Sequence, residues 1–75
     1  MTTVIILCAK DGSGLALELG LVYSMMQIPT HLHGLSERDS DTPQLAFFQE
    51  LGGQVHHADL CALLTLHPNA QVIRV

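Results

Sequence analysis

Seventy-five residues, 48% of them hydrophobic and only 13% charged, make one domain near the lower size limit for a self-sufficient core. That is more apolar side chain than so small a body easily hides, which predicts a sticky surface and self-association. A formal charge of -4, with Lys10, Arg38 and Arg74 as the fixed cations, excludes the basic patch that a DNA or RNA backbone requires.

Thr2 to Ala9 reads as a strand buried on both faces, because its apolar residues run consecutively instead of alternating. The polar turn Lys10, Asp11, Gly12, Ser13, Gly14 follows. From Ser13 a helix is expected to run to about Gln27, with Leu15, Leu19, Val22 and Met26 on the inward face and Leu17, Leu21 and Met25 widening the apolar arc toward another subunit. Pro29 ends it.

Thr30 to Leu35 is a short second strand, with His31 and His33 on one side and Leu32 on the other. Ser36 to Thr42 is a polar loop, and Asp41 or Thr42 followed by Pro43 is an N-cap and first-turn pair for a second helix. In that helix Leu45, Phe48 and Leu51 are expected to face inward, and Gly52 and Gly53 to stop it. Gln54 to Ala58 gives a third strand anchored by Val55. Asp59 caps a short third helix reaching about Leu66, which His67, Pro68 and Asn69 break. Gln71 to Val75 forms a fourth strand.

This β-α-β-α-β-α-β order with short connections predicts a parallel α/β sheet with right-handed crossovers and helices on both faces, in strand order 3-2-1-4. The fourth strand is then an edge. With no sequence after Val75, its unpaired ladder and the apolar helix faces beside it are expected to pair in a homodimer.

The turn after the first strand carries the chemistry. A glycine-containing turn between a parallel strand and a helix N-terminus presents backbone N–H groups and the positive end of the helix dipole to one point, where a phosphate can sit. The alternative is that Gly12 and Gly14 only allow a sharp turn and close helix-to-sheet packing. Asp11 is the awkward residue, since a carboxylate there satisfies the same dipole that a phosphate would use.

The same residues resemble the nucleotide-binding part of short-chain dehydrogenases and the reductases related to them. Of that family's T-G-x-x-x-G-x-G turn, the register Leu7 to Gly14 keeps the last two glycines and lacks the opening pair. LSERDSDTPQLAFFQELGGQVHHADL is similar to the family's second-strand end, second helix, E-L-G-G turn, third strand and D-L. The resemblance implies a Rossmann-like fold that binds NAD(P) or another nucleotide. It implies phosphate contacts at Gly12, Ser13 and Gly14, ribose contacts at Leu35, Ser36 and Arg38, and an adenine contact at Asp59. It spans nearly the whole chain but only about the first third of a family member. The catalytic Y-x-x-x-K has no counterpart, since Gln27 stands four residues after Tyr23. Dehydrogenase chemistry would therefore need another chain. A weaker resemblance to P-loop partition-type ATPases runs from Lys10 to Ala16, where Leu15 and Ala16 replace the phosphate-binding lysine and the magnesium-binding hydroxyl.

Five histidines raise metal binding, with His31, His33, His56 or His57 and Cys61 as ligands, but no carboxylate can be named to orient them, and the expected metal site is none. Cys8, where the first strand turns near a helix N-terminus, is either a reactive thiol or a small apolar filler. Glu37, Asp39 and Asp41 read as a solvated loop. Cys8 and Cys61 lack C-x-x-C spacing, and no secretory signal or run of about 18 to 20 apolar residues is visible, so a soluble, cytoplasmic location is expected. The functional expectation is a non-catalytic, self-associating nucleotide-binding module, with a ligand-free interaction module as the alternative.

Overall fold

The computed structural model describes residues 2–9, 13–35, 42–57 and 59–75. In chain order it comprises β1 (Val4–Leu7), α1 (Ser13–Met25), β2 (Thr30–His33), α2 (Pro43–Glu50), β3 (Gln54–His56), α3 (Leu60–Leu66) and β4 (Gln71–Arg74). The four strands form one parallel sheet in the order β3-β2-β1-β4. The fold is the small Rossmann-like α/β sheet that the sequence predicts. Each strand is one to four residues shorter than the stretch expected for it.

β1 is central because Val-Ile-Ile-Leu can be buried on both faces, and Val4, Ile5 and Ile6 are almost wholly buried. The strand alternation turns Val4 and Ile6 toward one face, where they join Leu32, Ala16, Leu17, Leu35, Leu45 and Phe48 in the core cluster. Ile5 turns the other way, toward the face crossed by α3, whose buried residue is Leu63. The connections from β1 to β2 and from β2 to β3 step in one direction across the sheet, and the connection from β3 to β4 steps back. Right-handed crossovers therefore put α1 and α2 on one face and α3 on the other.

α1 corrects the sequence reading. Its inward face is Ala16, Leu17, Gly20 and Ser24, whereas Leu15, Val22 and Met26, expected inside, are exposed and Leu19 is half-buried. The helix is apolar around its circumference, so periodicity could not choose a face; packing did. A Cβ placed on Gly20 would lie 3.1 Å from Cε1 of Phe48, so the small residues of α1 face inward to let α2 approach. Met25 is exposed as well. α1 closes with Gln27 in the left-handed region at φ 63°, the Ile28 N–H bonding the Tyr23 carbonyl and the Gln27 N–H that of Ser24. That is a Schellman ending, one turn before Pro29.

α2 begins as expected. Thr42 is the N-cap, its side chain accepting from the Leu45 N–H at 3.3 Å, and Pro43 stands in the first turn. It ends in a second Schellman motif, with Gly52 at φ 100° and Gly53 N–H bonding the Phe48 carbonyl at 3.0 Å. Gly53 has a further reason to be glycine, since a Cβ there would fall inside the Phe48 ring. Leu45 and Phe48 are buried as expected; Leu51 is exposed, because the helix has already turned into its cap there.

Candidate functional site

The carboxyl end of β1 is the point at which the sheet reverses direction. β2 lies on one side of β1 and β4 on the other, so the order of the strands reverses at β1. In open α/β sheets this is where ligands bind. The Cys8 N–H donates to the His33 carbonyl at 2.9 Å and the Ala9 N–H to the Val75 carbonyl at 2.7 Å, so β1 stays pinned between both neighbours up to its last described residue. α1 then starts at Ser13 with no acidic residue in its first turn, which leaves its positive dipole end unneutralised by the helix itself.

Of the residues singled out in the sequence, Gly12, Ser36 and Arg38, with Asp11, lie outside the described residues, as do Glu37, Asp39 and Asp41. Ser13 opens α1. Gly14 is exposed, and among the described residues a Cβ built on it would meet nothing within 4 Å. The glycines that lie close against Phe48 are Gly20 on α1 and Gly53 after α2. Leu35 is buried in the core cluster, so its side chain supports the fold. Just before it Gly34, at φ 86°, brings its Cα close enough to β1 that a Cβ would lie 3.1 Å from the Cys8 carbonyl oxygen.

Asp59 lies beyond β3, at the same edge of the sheet. Its carboxylate accepts from the Cys61 N–H at 3.0 Å and so caps α3. It also stands on the rim of an open cavity of about 330 Å³ lined by Val55, His56, His57, Ala62, Leu63 and Leu66. Its walls are mainly apolar apart from the histidines and Asp59. Cys8 is half-buried at the margin of the core, and Cys61 is exposed on α3.

The histidines of β2 and β3 gather as expected, and one further ring joins them. The ladder pairs His33 with His56 and His31 with Gln54, which puts His31, His33 and His56 on the α3 face of the sheet. His31 Nδ1 and His56 Nε2 are 2.9 Å apart, a hydrogen bond in which one ring donates and the other accepts. The third ring is His67, whose centroid lies 4.5 Å from that of His31 at a 39° tilt. Sequence reasoning took His67 only as a helix breaker, yet its position as the α3 C-cap carries it back over β2. The one available signal was the length of α3, which sets where its last turn returns across the sheet. Burial, then His67 and His56, holds His31 below the ordinary imidazole value; burial, then His33, His67 and His57, does the same for His56. Among the described residues no group of three or more His, Cys, Asp or Glu side chains is placed to hold a metal ion.

Among the described residues no helix is long and apolar enough to cross a membrane. No protein-family model, curated protein or solved structure matches the chain.

Proposed function

We propose that this chain is a nucleotide-binding module that holds the phosphate of a nucleotide or dinucleotide at the turn between β1 and α1 and does not transform it. The observation that carries the reading is the reversal of the sheet at β1, with the N-terminus of α1 directly beyond it. A nucleotide phosphate there would accept from backbone N–H groups of residues 12–14 and from the dipole end of α1. Gly14 leaves open space where a side chain would otherwise stand. Asp59, implied by the dehydrogenase resemblance as the adenine contact, follows β3 at the carboxyl edge of the sheet, and the implied ribose contacts Ser36 and Arg38 come after β2 in the sequence, outside the described residues. NAD(P) is the first ligand to test.

A ligand that binds only the native state stabilises it by RT ln(1 + [L]/Kd), about 2.7 kcal/mol at a hundredfold excess over Kd. In a domain of this size that raises Tm by on the order of 10 °C or more. Thermal melts with NAD, NADP, ATP, AMP and FAD are therefore expected to show a shift of this order with at least one of them. No shift with any leaves the reading without its ligand.

A second function rests on a separate observation. Leu15, Val22 and Met26 are exposed on one stripe of α1, with Met25 beside it, and β4 is an edge strand whose Val72 is 42% exposed. Apolar surface of this kind is what self-association covers. We read the chain as a homodimer that pairs or packs β4 and the neighbouring helix surfaces about a two-fold axis. Sedimentation at micromolar concentration is expected to give a dimer, and a well-folded monomer at that concentration contradicts the assignment.

A further inference from the structure

We propose that His31, His56 and His67 form a proton-sensitive clasp that fastens α3 to the sheet and loosens it when the surroundings acidify. This goes beyond nucleotide binding, because the cluster lies on the α3 face and shares no residue with the turn between β1 and α1.

α3 has few other attachments. Leu63 is its buried side chain and Leu60 and Leu64 are half-buried, while Cys61, Ala62 and Thr65 are exposed and Leu66 is 75% exposed. At its C-terminal end the polypeptide meets the sheet through His67, stacked on His31, which is itself 6% exposed and bonded to His56. With both rings neutral, the His31–His56 pair shares one proton in a donor-to-acceptor bond. A first added proton creates an imidazolium where burial already disfavours charge, and a second removes the acceptor, so the bond becomes a repulsion.

The surrounding groups reinforce this direction. On β2 the neighbour is His33, just after β3 it is His57, and at the C-cap of α3 it is His67; the neighbours acting electrostatically on His31 and His56 are all histidines. From β1 the same face presents Ile5 and Leu7, and from β4 it presents Val72 and Arg74, which pair with them. Asp59 caps the opposite end of α3, with its carboxylate committed to the Cys61 N–H. No carboxylate among the described residues offsets added positive charge at the cluster.

The sign of the pH dependence follows. His31 and His56 bind protons less readily in the folded chain than in the unfolded one. The contribution they make to stability is therefore fully present above the ordinary imidazole pKa of about 6.5. It is lost as pH falls from there toward the lowered folded values. The loss is local, because the core cluster on the other face contains no histidine.

Amide hydrogen exchange at pH 7.5 and pH 5.5, corrected for intrinsic chemical exchange, reads the clasp directly. In the wild type, protection of residues 63–67 is expected to fall by roughly tenfold or more at pH 5.5, while that of β1 and α1 changes little. His56→Gln keeps a hydrogen-bonding group beside His31 but cannot take up a proton, and His67→Phe keeps an aromatic ring without the charge. Each is expected to flatten the α3 response. The proposal is overturned by equal α3 protection at both pH values in the wild type, or by an undiminished response in both variants. A loss spread evenly over the whole chain, or a response abolished by micromolar Zn²⁺, which would make the cluster a metal site, overturns it too.

Discussion

Phe48→Ala is expected to remove about 3–5 kcal/mol of stability. A domain of this length holds in total roughly 4–11 kcal/mol, at about 0.05–0.15 kcal/mol per residue, so the variant stands at the edge of unfolding at room temperature. The size of the effect comes from where the ring sits. Phe48 is wholly buried, and two backbone segments approach it so closely that both carry glycine. Gly20 on α1 leaves 3.1 Å between a would-be Cβ and the ring, and Gly53 at the start of β3 leaves no space for one. A backbone held on two sides collapses poorly into a cavity, and the cost of truncation rises with the cavity that remains. Urea denaturation measures it: the midpoint should fall by about a quarter or more of its wild-type value with little change in slope. A loss below about 1 kcal/mol would mean that α1 and α2 are not packed through this ring.

The sheet was legible in the sequence because its signals are local and redundant. Consecutive β-branched residues marked β1 as a strand buried on both faces, Thr42 with Pro43 marked the start of α2, and Gly52 with Gly53 marked its end. The short connections then left right-handed crossovers as the simplest path. The inward face of α1 was not legible. Leu15, Leu19, Val22 and Met26 form as good a stripe as any on a helix apolar all round, and what turned Ala16, Leu17, Gly20 and Ser24 inward is the Phe48 ring on a different element. Leu51 misled for a related reason, since the αL cap at Gly52 ends the helical periodicity just before that residue could face the core.

The candidate site was legible in part. The turn, its place after β1 and the Asp59 cap of α3 could be read from residue types and spacing. The reason for Gly14 could not, because whether a glycine permits packing or leaves open space depends on what stands opposite it. The histidine cluster was half visible: the alternation of β2 put His31 and His33 together, and the pairing of β2 with β3 added His56. His67 is 36 positions from His31 in the chain (67 less 31), and only the return path of α3 brings it there.

Gly14→Val is the variant that separates a ligand site from a structural turn. Among the described residues a Cβ at this position meets nothing within 4 Å, so valine is expected to leave folding stability within about 0.5 kcal/mol of the wild type. The close-packed glycines give the contrast, since any Cβ at Gly53 collides with Phe48. Yet the isopropyl group would stand over the first turn of α1, where the proposed phosphate must approach the backbone, and nucleotide binding is expected to disappear. Loss of stability equal to that of a core variant would restore the packing reading and remove Gly14 from the site.

The most direct measurement is a titration of the ¹⁵N-labelled chain with NAD, NADP and ATP, following the amide resonances of wild type and Gly14→Val. The account predicts saturable shifts in the wild type concentrated at the carboxyl edge of the sheet, at residues 8, 9, 13, 14, 34, 35 and 59–61, and none in the variant. Shifts confined to the opposite edge, equal shifts in wild type and variant, or no saturable shift with any of the three nucleotides would contradict it.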